Sequence, residues 1–258
     1  MTTWEIAGLL SAAAAAGVIN AVAGGGTLVT FPALLLTGTP PVIANATSTV
    51  ALVIGIGGSV FGYRRQIAAV KAWLWRFLPV SLLGGLLGGI LLTTASERVF
   101  ERLVPFLLLF ATVLFLAQGA IAKCFGFTTA GGQAPKPHAL WLAMLFQFAV
   151  SLYGGYFGAG IGILMLATLG FLGLSDIHQM NAVKTVLGSL INLVAALWFI
   201  QKGLVDWPKA GVMTLGAMGG YFLGSHYAQK ISQRRVRQII TAIGFIISAV
   251  TFQREFLR

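Results

Sequence analysis

The sequence predicts an all-α polytopic membrane protein of two homologous repeats, each a glycine-broken helical hairpin plus three transmembrane helices, with the halves inverted relative to each other. Three observations predict it. Of 258 residues, 57% are hydrophobic and 9% charged, with a mean hydropathy of +0.89, a composition outside the range of soluble domains. Apolar stretches close to the roughly 20 residues that a helix needs to cross the hydrocarbon recur along the chain, with charges confined to short clusters between them. One pattern also occurs twice: Asn-Ala-x-x-Thr at Asn45 to Thr49 and again at Asn181 to Thr185, preceded by Gly24 and Gly26 in one half and by Gly158 and Gly160 in the other. The glycine pairs lie 134 residues apart and the Asn-Ala-x-x-Thr copies 136. Paired interruptions at matching places in a duplicated apolar chain point to a carrier with its substrate site between the halves.

Each element follows in order. The apolar segments run 4–22, 27–37, 42–63, 73–94 and 103–122, then 139–157, 160–174, 178–200, 208–227 and 238–252. The first follows Met-Thr-Thr-Trp-Glu, which has no basic residue, and it exceeds the about 7 to 15 residues of a signal h-region, so a retained span is expected. The second segment of each five is too short to cross at about 1.5 Å per residue; each is expected to be a half-helix that returns with its predecessor as a broken hairpin. Gly38 with Pro40 and Pro41 closes one helix and starts the next, while Ser175 and Asp176 are the N-cap candidates at the corresponding place in the second half. Gly84 with Gly88, and Gly216 with Gly220, have the four-residue spacing that lets helix backbones touch. The repeats are therefore expected at 1–122 and 139–258, joined by a cytoplasmic linker at 123–138.

The formal charge of +11, from 17 Lys and Arg against 6 Asp and Glu, would suggest nucleic acid in a soluble protein. In short loops of a membrane protein it meets anionic lipid instead. The bilayer is the expected partner, and nucleic acid is not. Arg64, Arg65, Lys71 and Arg76 form one basic cluster and Lys230, Arg234, Arg235 and Arg237 another. The positive-inside tendency places both in the cytoplasm; because they stand at non-equivalent places in the repeat, the halves are then inverted. Trp4, Trp73, Trp75 and Trp207 are expected in the interfacial belts, and His138 and His226 at helix ends. A lone cysteine, Cys124, excludes an intrachain disulfide, and no Cys/His spacing suits a metal. No metal and no cofactor are expected.

The chemistry is expected in the broken segments. Gly24, Gly25 and Gly26, and Gly158 with Gly160, interrupt helices at membrane depth, where irregular backbone is tolerated only against protein or a water-filled cavity. A helix N-terminus there offers unpaired N–H donors and about half a positive charge, which suits an anion; close helix packing is the competing explanation for any single glycine. Asn and Thr four apart share a helix face, so Asn45 and Asn181 can line a site or bind neighbouring helices. Between them the halves differ, since Ser48 in the first copy corresponds to Lys184 in the second, followed by Thr185. A lysine in an apolar helix marks function by default, against the alternative that its long stem snorkels to the headgroups. The acids Glu5, Glu97, Glu101, Asp176, Asp206 and Glu255 all lie at or near segment ends. That distribution disfavours cation transport and leaves Asp176 and His178 as the candidates for proton coupling.

Gly-x-x-Asn-x-x-Ala-Gly-Gly-Gly at 17–26, with the later Gly-x-x-Gly-Ala-Gly-Ile-Gly and Asn-Ala-x-Lys-Thr runs, resembles the sulfite exporter TauE/SafE family, also called the toluene-sulfonate uptake permease family, over nearly the whole chain. The resemblance implies a bacterial inner-membrane transporter of sulfur-containing anions such as sulfite, sulfoacetate or related sulfonates; other members carry non-sulfur organic anions. It places the family's glycine-rich breaks on Gly24 to Gly26 and on Gly158 and Gly160, and its polar helix positions on Asn45, Asn181 and Lys184. Two other classes stay open at this level, a passive anion channel and an intramembrane enzyme acting on lipid phosphates. The enzyme would need a nucleophile and an acid or base in mutual reach, and no such constellation occurs in the apolar segments. Substrate, direction, coupling ion and oligomeric state are not legible.

Overall fold

The computed structural model describes residues 1–22, 25–60, 70–124, 137–172, 177–227 and 233–256. Within them the chain forms ten helices: α1 (Thr3–Val22), α2 (Thr27–Leu36), α3 (Pro41–Val60), α4 (Lys71–Thr94), α5 (Glu97–Cys124), α6 (Pro137–Tyr156), α7 (Ile161–Phe171), α8 (Ile177–Gln201), α9 (Trp207–Tyr227) and α10 (Gln233–Phe256). Every apolar segment falls on one of them. The largest differences are at α5 and α10, which start at Glu97 and Gln233 rather than at 103 and 238. Counting apolar residues misses a charged first turn that is nonetheless helical; in α5, Glu97 also stands in the first turn, where an acid complements the helix dipole. Five helices contain stretches long and apolar enough to cross a membrane, at Thr3–Ala21, Lys71–Thr94, Glu97–Ala117, Gln179–Gln201 and Gln238–Phe256. The chain is a multi-pass helical membrane protein.

The two short helices are local consequences of sequence. With 10 and 11 residues, α2 and α7 rise only about 15 to 17 Å, half the hydrocarbon thickness. At the end of α2, Gly38 (φ +73) donates its N–H to the Leu35 carbonyl at 3.1 Å and Thr39 donates to Leu34 at 3.2 Å, the paired pattern that closes a helix at a left-handed glycine. Pro41 then opens α3. The same closure ends α8, where Gly203 (φ +68) bonds Ile200 and Leu204 bonds Phe199.

Packing pairs helices across the halves. The most extensive contacts are α1 with α9 and α4 with α6, followed by α3 with α9, α4 with α8, and α5 with α10. Exchanging α1–α5 for α6–α10 turns each of these pairs into another of the set or into itself. The contacts are close because glycines line them. A Cβ built on Gly84 would stand 2.7 Å from Ser151 Cβ, and one on Gly88 would overlap the Leu152 carbonyl of α6. Gly216 and Gly220 meet the Leu10 and Ala14 carbonyls of α1 in the same way, so both pairs serve packing, as their spacing predicts. At the lipid-facing surface, Trp4, Trp75 and Trp207 are exposed, while Trp73 stacks on Phe77, and His226 stacks on Phe222. Residues 125–136 of the expected linker 123–138, the loop holding Arg64 and Arg65, Lys230, and the expected caps Ser175 and Asp176 lie outside the described residues, and the linker's flanks at 123–124 and 137–138 are helical.

Neighbouring glycines of α9 separate packing from propensity. Gly220→Ala is expected to destabilise the protein by about 1–3 kcal/mol through overlap with α1, whereas Gly219→Ala, with open space around it, is expected to stabilise by about 0.5–1 kcal/mol. Thermal unfolding in detergent ranks the two; equal midpoints would contradict the packing.

Candidate functional site

Both glycine breaks lie against one turn at the middle of α5. A Cβ on Gly25 would overlap the Phe115 ring, and one on Gly160 would stand 3.7 Å from Leu114 Cδ1 and 3.8 Å from Ala111 Cα. Residues 111–115 are near the centre of the 28-residue helix, and at about 1.5 Å per residue that turn spans only about 6 Å. The interruptions, 134 residues apart in sequence, therefore meet at one depth. Phe31 of α2 packs edge-on against Phe157, just before the second break, with ring centroids 5.3 Å apart, and Phe100 of α5 adds an edge-on contact to Phe31 and a tilted one to Phe157.

The first break is clasped by side chains. Gly25 has φ +98, open to glycine alone without strain. The Gly26 N–H donates to Asn20 Oδ1 at 2.7 Å, and Asn20 Nδ2 donates to the Tyr221 hydroxyl of α9 at 2.8 Å. Inside the break, the Thr30 and Ser48 hydroxyls lie 2.6 Å apart, both fully buried. Ser48 is thus engaged with the first turns of α2. Gly24 lies outside the described residues.

At the second break the donors make no side-chain hydrogen bond among the described residues. Gly158 and Gly160 take φ +82 and +80, and α7 begins at Gly160 with no side-chain cap. Tyr153 donates its hydroxyl to the Ala159 carbonyl at 2.8 Å, satisfying an acceptor of the break, and the Ile163 N–H bonds the Gly160 carbonyl at 3.1 Å, leaving the N–H groups of Ile161 and Gly162. Lys184 lies over that turn: a Cβ on Gly162 would stand 3.2 Å from its Cδ, 3.6 Å from Cγ and 3.9 Å from Cε. Lys184 is half-buried and, among the described residues, forms no ion pair. Further along α8, Gly188 approaches Ile161, and Asn192 Oδ1 would be 3.5 Å from a Gly158 Cβ. Lys184, Gly188 and Asn192, four apart, put one face of α8 along the break. A helix N-terminus with the stem of a lysine on its first turn has the components of an anion receptor.

The asparagines of the repeated motif diverge. Asn45 is buried and donates Nδ2 to the Tyr156 carbonyl at 3.1 Å, tying α3 to the end of α6 beside the second break, and its Oδ1 is buried without a partner among the described residues. Thr49 bonds back to the Asn45 carbonyl at 2.8 Å, the bond open to any threonine four residues on in a helix. Asn181 and Thr185 are half-buried on α8. Asp176 and the His178 side chain lie outside the described residues. Sequence reasoning missed Asn20, Tyr221, Tyr153 and Asn192. Asn192 carried a readable signal, an amide in an apolar helix eleven residues after Asn181 and hence on its face; the tyrosines, common at membrane boundaries, carried none.

Comparison with known proteins follows the same line. The family model described as Sulfite exporter TauE/SafE matches residues 9–251. The chain is 30% identical over 239 residues to a protein of Haemophilus influenzae named "Probable membrane transporter protein", covering 91% of this chain and 89% of that one. It is 28% identical over 252 residues to "Probable membrane transporter protein ORF9" of Sinorhizobium, covering 94% and 90%, and 26% identical over 239 residues to "Probable membrane transporter protein YfcA" of Escherichia coli, covering 91% and 84%. No solved structure matches.

The two breaks predict an order of tolerance. Gly160→Ala meets only ordinary contacts and is expected to cost about 1–2 kcal/mol from the left-handed backbone alone. Gly25→Ala adds overlap with Phe115, so its unfolding midpoint in detergent should be the lower of the two; the reverse order would refute the geometry.

Proposed function

The chain belongs to the sulfite exporter TauE/SafE family and is a membrane transporter, and from that premise we propose that it carries a small anion, a sulfur oxyanion or organosulfonate such as sulfite or sulfoacetate, by alternating access around the two broken hairpins. One observation carries this reading: Lys184 lies along Gly162 in the first turn of the uncapped helix α7. A lysine and a helix N-terminus repel each other's positive charge until an anion stands between them. The substrate then sits at the second break, held by the N–H groups after Gly160 and by Lys184, with Asn181, Thr185 and Asn192 on the adjoining face of α8. Asn45 orients the end of α6, and Gly25 and Gly26 with Ser48 form the opposite wall. Burial from water makes each of these interactions stronger than at a surface, so selectivity can rest on few groups. The bacterial relatives support a place in the bacterial inner membrane. Rocking of one half against the other would alternate access, and the exchange symmetry of the helix pairs supports halves related by a pseudo-two-fold axis.

Two measurements test the reading. In proteoliposomes, labelled sulfite uptake is expected to saturate and to be competed by sulfonates, with its response to an imposed pH gradient reporting coupling through the substrate or through Asp176 and His178. Lys184→Ala should lower kcat/KM at least tenfold, about 1.4 kcal/mol or more, without a matching loss of stability; undiminished transport in folded protein would remove Lys184 from the site. Uptake of carboxylates but not of sulfur anions would move the substrate to a non-sulfur organic anion, and failure to saturate would indicate a channel. Separately, inverted halves place the C-terminus outside, so a C-terminal alkaline phosphatase fusion should be active and a fluorescent protein fusion dark. The opposite pair of results would make the halves parallel.

A further inference from the structure

Where the α2–α3 turn meets the α8–α9 turn, a cavity of about 200 Å³ opens to the surface, bounded by Thr39, Ile43, Asp206, Lys209 and the backbone of Gly38 and Gly203. Its position follows from α2: ten residues, about 15 Å, separate this turn from the first break, so the cavity stands at the membrane face on which α2 emerges. Lys209 closes it. Its side chain is only 14% exposed, and Nζ donates to Thr39 Oγ1 at 2.8 Å across the two halves of the chain. The Thr39 and Thr37 hydroxyls are 3.1 Å apart, and Thr37 donates to the Leu34 carbonyl at 2.8 Å, a polarised chain ending on α2. Asp206 holds Lys209 loosely. Its Oδ2 is 3.4 Å from Nζ, longer than the about 2.7–2.9 Å of a charge-assisted bond, while Oδ1 accepts the Lys209 backbone N–H at 3.2 Å. The ammonium, with three donors, retains capacity toward the cavity.

Polar groups also lead inward from it. The Asp206 N–H donates to the buried Thr47 Oγ1 at 3.0 Å, and the next residue, Ser48, meets Thr30 beside the first break. Polar side chains are rare and functional at membrane depth, and these lead from the cavity toward the first break. We propose that the cavity is a second anion site, the entry site of the transporter, with Lys209 receiving a small oxyanion and the Lys209–Thr39 bond as its closed latch. The proposal rests on the anion-transport reading. An arriving oxyanion draws the Lys209 ammonium off Thr39, Thr39 loses its cross-half partner, and the α2–α3 turn is released.

The test is thiol labelling in full-length protein. Cys124 is the single native cysteine, so Cys124→Ser with Ile43→Cys leaves one thiol at the cavity wall. Methanesulfonate or acetate is expected to slow its reaction with an impermeant maleimide at least threefold. Lys209→Met should abolish that protection, and Lys184→Ala should retain it. Thr39→Val, which keeps the charge and removes the latch, should raise labelling several-fold without any anion. Protection by neither anion, protection that survives Lys209→Met, or labelling unchanged in Thr39→Val would overturn the entry site. Uptake without protection would sink this proposal and keep the transport reading; protection without uptake of any anion would overturn the transport reading and with it the role as an entry site, leaving only an anion site at Lys209.

Discussion

An interrupted helix in hydrocarbon leaves N–H and C=O groups that lipid cannot satisfy, and this fold contains two such interruptions. The surrounding architecture accommodates them. Each break must be enclosed by protein, which draws both onto the middle turn of α5 and brings α1 against α9 and α4 against α6 at glycine-lined distances. Residues with side chains at Gly84, Gly88, Gly216 or Gly220 would push those helices apart and expose broken backbone to lipid. Small residues far from the breaks are thus a condition for having breaks at all.

The breaks are bounded differently. At the first, Asn20 takes the Gly26 N–H and passes its own amide to Tyr221. At the second, Tyr153 satisfies the Ala159 carbonyl, the Ile163 N–H returns to the Gly160 carbonyl, and the stem of Lys184 lies on Gly162. Asn20 and Tyr221 clasp the first break, while at the second the stem of Lys184 lies on the first turn of α7. The Ser48 and Lys184 positions state the difference in one pair, each lying at the start of a half-helix, one in a hydroxyl pair and the other carrying a charge.

Much of this was readable in the chain. Ten helices, two of them half-length, follow from apolar run length and from Gly38, Pro40 and Pro41, because helix termination is local chemistry. The packing roles of Gly84, Gly88, Gly216 and Gly220 follow from spacing. Less was readable at the site. Asn45 was identified as polar in an apolar helix, but its partner, the Tyr156 carbonyl, is 111 residues away, and nothing local to either names the other.

The sequence by itself determined a multi-pass helical membrane protein, its apolar segments, the two breaks and the family, since each depends on composition, on contacts within a few residues, or on motifs that read along the chain. Tertiary structure alone decided that the breaks meet on α5, that Asn20 and Tyr221 clasp one of them, that Lys184 lies on Gly162, and that Lys209 reaches Thr39 across 170 residues. Those relations depend on how helices distant in sequence approach in space. Periodicity assigns a residue to a face, but only packing decides what that face meets.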